Sequence, residues 1–216
     1  MRISQKETNK SYKLYNITYT ASEKECIDSI DIMVGNAFNY YGRGNLCDAS
    51  KFIESIGNNS IELAKAFNKI LLNLVSNVSK KPYVWMRITT ISKPDTKYTF
   101  RWHRDGKFFA ETAYDIAQVQ SKFITTLRGD GTLLIDATPE QKQEMRKHFE
   151  NQAKINEIFE KSEIKQLKNN EGLDFVVGND DALIHSEPQI KEKRIFVSIL
   201  SGSKRQITNL QKRWAR

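Results

Sequence analysis

Before Pro82 the apolar residues recur every three to four positions, and after it they alternate with polar ones in short runs. The most regular helical pattern opens at Ser60 and Glu62 and continues through Leu63, Phe67, Ile70, Leu71, Leu74 and Val78. Ala21 to Val34 has a helix-compatible spacing, and Asp48 is placed to cap a helix over Ala49 to Ile56. Residues 1 to 80 are therefore expected to be mainly helical, with the glycines and asparagines of Asn39 to Asn45 marking a loop. Strands are expected over Tyr83 to Ile91, Lys97 to Asp105, Gln120 to Arg128 and Thr132 to Asp136. Three more follow at Leu173 to Val177, Ala182 to Ser186 and Arg194 to Leu200. Between residues 138 and 170 one or two charged helices interrupt them, with Met145, Phe149, Ile155, Phe159, Ile164 and Leu167 as the apolar face.

Seven short strands punctuated by Gly, Asn, Asp and Pro imply a sandwich or barrel. The expected class is α+β: a β core over residues 81 to 203, N-terminal helices packed outside it, a helical insertion at 138 to 170 and a basic tail at 204 to 216. With 216 residues the chain can bury about 70 per cent of its unfolded surface. Eleven Phe, eight Tyr and three Trp supply the core, which rules out wholesale disorder. The apolar runs fall short of the roughly 20 residues of a membrane span, and Met1 to Lys13 lacks the apolar stretch of a secretory signal. A cytoplasmic protein is expected, with Cys26 and Cys47 reduced and without metal-site spacing.

The net charge of +8 invites a nucleic-acid reading, but five of those charges belong to Lys204, Arg205, Lys212, Arg213 and Arg216. The rest of the chain carries only the other three. A tail of this kind is most simply solvated, and a contact with nucleic acid through it would carry no sequence information.

Candidate chemistry lies in the second half. In a strand from Tyr98 to Asp105, Thr99, Arg101, His103 and Asp105 share one side, and Tyr98, Phe100 and Trp102 the other. An imidazole and a carboxylate thus share an edge of the cavity, and His185, ending the run Ala182 to His185, is the obvious second nitrogen ligand. Two imidazoles and one carboxylate on one face of an ion leave the opposite positions open, as in non-haem Fe(II) oxygenases. Nine residues later Arg194 opens an apolar strand, a fixed fork suited to a carboxylate, with Ser198 on the same face. Arg87 and Arg101, also inward by alternation, hold a substrate anion or pair with Asp136 or Asp174. His148 reads as a solvated helix residue, and Trp85, Phe100 and Trp102 as core rather than a base-stacking platform.

His103-Arg104-Asp105, the later His185 after Gly178 to Ile184, and Arg194 beyond it resemble the H-x-D…H…R pattern of 2-oxoglutarate and Fe(II)-dependent oxygenases. The likeness spans roughly residues 83 to 202, and Leu127 to Thr132 is similar to a turn in an uncharacterised bacterial branch of that superfamily. The resemblance implies a double-stranded β-helix, or distorted jelly roll. It also implies His103, Asp105 and His185 as iron ligands, and Arg194 on the distal carboxylate of 2-oxoglutarate. The implied activity is oxidation of a substrate with release of succinate and CO2. Lys122 is a competing anchor for the co-substrate, on a face shared with Ile124, Thr126 and Arg128. A small molecule or a protein side chain is the expected substrate, with nucleic acid open and no membrane partner. The alternative from another class is a non-catalytic β-barrel module engaging nucleic acid or an acidic partner through its basic tail.

Overall fold

The periodic run after Ser60 folds as an 18-residue amphipathic helix, α3 (Ile61–Val78), in a computed structural model that describes residues 1–214. Ser60 Oγ accepts from the Leu63 N–H at its start, and Phe67, Ile70, Leu71 and Leu74 form its buried stripe. Alongside it lie α1 (Ala21–Ser29), opened by a Thr20–Glu23 capping box, and α2 (Ser50–Ser55). These three helices cover one face of a large antiparallel sheet.

That sheet is built on the alternating runs: β4 (Tyr83–Ile91), β5 (Gln120–Arg128), β8 (Glu171–Val177) and β10 (Arg194–Gly202). In β4 the residues Val84, Met86 and Ile88 meet the helices, as do Ile195, Val197 and Ile199 of β10. The intervening residues, among them Arg87, Phe196 and Ser198, face a cavity on the other side. A smaller antiparallel sheet of β6 (Leu133–Ile135), β7 (Ile164–Gln166) and β9 (Ile184–Ser186), in the order β7-β6-β9, packs across from it. Leu134 and Leu183 join Ile124, Leu173 and Phe175 in the core between the sheets. The molecule is thus a mixed helix and sheet protein with a large antiparallel sheet.

Residues 1 to 80 depart from the helical expectation. They contribute β1 (Arg2–Thr8), β2 (Tyr12–Thr18) and β3 (Asn36–Arg43), which complete the seven-stranded order β1-β2-β8-β5-β10-β4-β3. The segment read as a loop, Asn39 to Asn45, is mostly β3 with a 3-10 turn at Gly44–Leu46. Edge strands such as β1 and β3 are held by backbone pairing to a neighbour and need no strong apolar alternation of their own, so local pattern passes over them.

Two further expectations change. Lys97 to Asp105 forms no ladder strand. Residues 204 to 214 are not a solvated tail but α7 (Lys204–Trp214), which buries Ile207 and Leu210. Arg205 pairs at 3.0 Å with the fully buried Asp115, and Arg213 at 3.3 Å with Glu111, so two of the tail's charges serve internal contacts. Arg216 lies outside the described residues. The insertion folds as α5 (Pro139–Lys147), α6 (Gln152–Phe159) and β7, with Met145, Ile155 and Phe159 packed behind Trp102 and Ile184. None of its residues lines the cavity.

Candidate metal centre

Tyr98 to Asp105 keeps its alternation without a ladder: Trp102 is buried in the core behind β9, and Arg101 turns to solvent. The stretch is anchored by one antiparallel bridge, in which His103 and His185 exchange both backbone hydrogen bonds at 3.0 Å. Opposed residues in such a bridge project to the same side, and the two imidazoles sit with centroids 4.3 Å apart. Asp105, two residues beyond His103, projects to that side as well. Its backbone oxygen accepts from the Gly178 N–H at 2.8 Å. Gly178 has φ of +74°, and a Cβ there would lie 2.6 Å from the Lys107 backbone nitrogen, so the turn closes on this segment only as glycine.

The backbone also sets the imidazole tautomers. His103 Nδ1 lies 2.8 Å from the Arg101 carbonyl and His185 Nδ1 lies 3.3 Å from the Leu183 carbonyl. A carbonyl oxygen only accepts, so each Nδ1 carries a proton, which leaves Nε2 as the nitrogen that a neutral imidazole offers to a metal. Both Nε2 atoms face Asp105 Oδ1, at 3.9 Å from His103 and 4.0 Å from His185. The other oxygen, Oδ2, accepts from Lys122 Nζ at 2.9 Å. One donor atom from each of His103, Asp105 and His185 lies within 4.8 Å of the other two.

The electrostatics oppose protonation here. Burial drives the His185 pKa down to about 3, and the neighbouring His103 adds to the shift. Burial alone would raise the Asp105 carboxyl, but the Lys122 ammonium and the imidazoles hold it below the usual carboxylate range. The buried His185 imidazole is therefore neutral and Asp105 ionised at neutral pH, and both face the same point as His103 Nε2.

The candidate metal ligands His103, Asp105 and His185 and the candidate co-substrate residues Arg194, Ser198 and Lys122 all line one cavity of about 260 Å³, as does Arg87. Arg194 is buried, its Nε donating to the Asp130 carbonyl at 2.8 Å and its Nη2 to Thr126 Oγ1 at 3.5 Å. Its guanidinium lies 4.7 Å over the Phe196 ring. Burial lowers its pKa to about 10, which leaves it cationic at neutral pH. Arg101 is not part of the cavity wall; it lies 3.8 Å from Glu187 among exposed groups. Arg128 departs from its expected face, because a register shift between Ile195 and Phe196 turns it toward α1. There it donates to the Asp28 and Ile30 carbonyls at 3.2 and 2.7 Å. The carbonyls of Arg101, Leu183 and Asp130 were invisible in the sequence, since a backbone oxygen has no residue signature.

No family model and no curated protein matches the chain. Solved structures similar to it include 2-oxoglutarate-binding proteins. HygX from Streptomyces hygroscopicus, solved with nickel and 2-oxoglutarate, is 10% identical with a TM-score of 0.43, over 88% of this chain and 81% of that one. The viral collagen prolyl hydroxylase vCPH from Paramecium Bursaria Chlorella virus-1, in a 2-oxoglutarate complex, is 10% identical at a TM-score of 0.38, over 88% and 94%. A Pseudomonas putida prolyl-4-hydroxylase is 9% identical at 0.39, over 88% and 91%. Likeness at this level leaves function to be read from the side chains.

Proposed function

We propose that the chain is an Fe(II)- and 2-oxoglutarate-dependent oxygenase, with His103, Asp105 and His185 as the metal ligands. The observation that carries this reading is the convergence of the two Nε2 atoms of His103 and His185 on one carboxylate oxygen, away from the oxygen that Lys122 engages. Converging lone pairs repel unless a cation lies among them, and the depressed His185 pKa disfavours a proton in that role. Three donors bonded at about 2.1 Å on one face of an ion lie about 3.0 Å apart, so the His–Asp separations of 3.9 and 4.0 Å need to close by only about 1 Å for all three to bind. Two histidines and one carboxylate are also the donor set suited to non-haem Fe(II) with open positions. When bound, such an ion together with 2-oxoglutarate supplies oxygen activation coupled to decarboxylation of the co-substrate to succinate.

The chain's own groups position and neutralise. The carbonyls of Arg101 and Leu183 fix the imidazole tautomers, and Lys122 orients Asp105. Arg194 is the better co-substrate anchor: its fork is preset by Asp130 and Thr126, whereas the Lys122 charge is already met by Asp105. Ser198 supplies a hydroxyl on the same wall. In this reading the strands of residues 81 to 203 form a distorted jelly roll, whose larger sheet is extended at its edges by β1, β2 and β3 from residues 1 to 80. The substrate is a small molecule or a protein side chain, since the cavity lies just below the usual range of small-molecule sites.

Anaerobic addition of 2-oxoglutarate to Fe(II)-loaded protein is expected to produce a weak visible charge-transfer band, lost in His103→Ala and in His185→Ala. If both variants keep the band, these residues are not the ligands. Succinate formation on exposure to oxygen separates this activity from metal chemistry without the 2-oxoacid.

A further inference from the structure

One cation of the cavity wall has no task in the metal centre. Arg87, at the middle of β4, stands opposite Ser198 of β10 and Asn39 of β3. Its side chain lines the cavity, as does that of Ser198. The acids that might neutralise it are engaged elsewhere: Asp136 pairs with Lys165 at 2.8 Å and Asp174 with Lys80 at 2.5 Å. Of the acids lining the cavity, Asp105 is held by Lys122 and Glu187 leans toward Arg101. Among the described residues, Arg87 Nε is sealed from water and meets no acceptor. Among the described residues Arg87 forms no ion pair, so its guanidinium is an uncompensated positive charge on the cavity wall, which an anion in that cavity would neutralise.

Arg194 does not share this role. On β10, Arg194 is opposite Ile91 and Ser198 is opposite Arg87, which separates the two arginine Cα atoms by about 14 Å. Arg194 is buried against Asp130 and Thr126, whereas Arg87 is partly open and adjoins an aromatic wall. There Trp85 lines the cavity and stacks on Tyr41, with ring centroids 5.9 Å apart and planes within 2°.

We propose that Arg87, assisted by Ser198, binds the carboxylate of the primary substrate, which is therefore a small organic acid with a compact apolar or aromatic body. This rests on the oxygenase reading above, in which Arg194 serves the co-substrate. One guanidinium and one neighbouring hydroxyl match the two oxygens of a carboxylate, whereas a phosphate dianion would leave a third oxygen without a donor. The apolar body follows from Trp85 and Phe196, which flank the same stretch of wall.

The test uses the full chain loaded with Zn(II) and 2-oxoglutarate, with propionate as the probe and propionamide as its neutral counterpart, each followed by saturation-transfer NMR. Propionate is expected to bind saturably and propionamide not at all. Arg87→Met is expected to weaken propionate by about tenfold or more, and Arg87→Lys by less, with 2-oxoglutarate affinity in both within about twofold of the parent. Equal propionate binding in the parent and Arg87→Met, or no saturable binding in the parent, overturns the proposal while leaving the oxygenase reading intact. Equal loss of 2-oxoglutarate binding in Arg87→Met also overturns it, by making Arg87 a co-substrate anchor. If the parent with Zn(II) fails to bind 2-oxoglutarate, the oxygenase reading fails instead, and the propionate comparison on Zn(II) protein still decides the role of Arg87.

Discussion

Gly178 closes the turn behind Asp105 at a φ of +74°, where any Cβ would press on the Lys107 backbone. The left-handed conformation costs a side-chain-bearing residue about 1–2 kcal/mol, so Gly178→Ala is expected to shift the Asp105 segment rather than unfold the chain. Zn(II) affinity measured by competition with a chromophoric chelator should fall by about tenfold, with only a few degrees lost in melting temperature. An unchanged affinity would show that Asp105 does not depend on this turn. The ligand candidates themselves were legible because their side chains are rare: there are three histidines in the chain, and one sits two residues before an aspartate. What holds them was not legible, since it consists of backbone carbonyls and one glycine conformation.

α7 illustrates the same division for elements. Its composition, basic and without an acid, reads as solvated, yet Ile207 and Leu210 are buried and Trp214 packs on Trp85 and Phe108. Each buried aliphatic side chain contributes about 1.5–3 kcal/mol, so deleting residues 204 to 216 is expected to remove roughly 3–6 kcal/mol. The melting temperature by circular dichroism should fall by about 10 °C or more. A truncated protein that melts with the parent would restore the solvated-tail reading. The long alternations of β4, β5 and β10 were readable because both faces of those strands have distinct surroundings, helices on one side and the cavity on the other. The polar β1 and the mixed β3 lie at the sheet's edges, where pairing to β2 and β4 decides the conformation.

At the scale of the whole molecule, the buried His185 links the centre to global stability. Its folded pKa is depressed by burial, so the unfolded chain binds a proton that the folded chain refuses below the ordinary value of 6.5. The stability associated with keeping it neutral is complete above that value and is lost progressively as the pH falls toward about 3. In the presence of a chelator, urea unfolding should give a stability about 2 kcal/mol lower at pH 5 than at pH 7, and His185→Gln should flatten that difference. An equal pH dependence in parent and variant would contradict the depressed pKa. The sequence by itself determined the residue types of the candidate centre and the alternation of β4, β5 and β10, because these are properties of neighbouring positions repeating with period 2. The tertiary structure alone decided that His103 meets His185 across more than 80 residues, that Arg194 is preset while Arg87 is left without an acid, and that α7 is core. Those outcomes depend on which distant segments close on one another and which charges are consumed in doing so, and no local window of the chain contains that information.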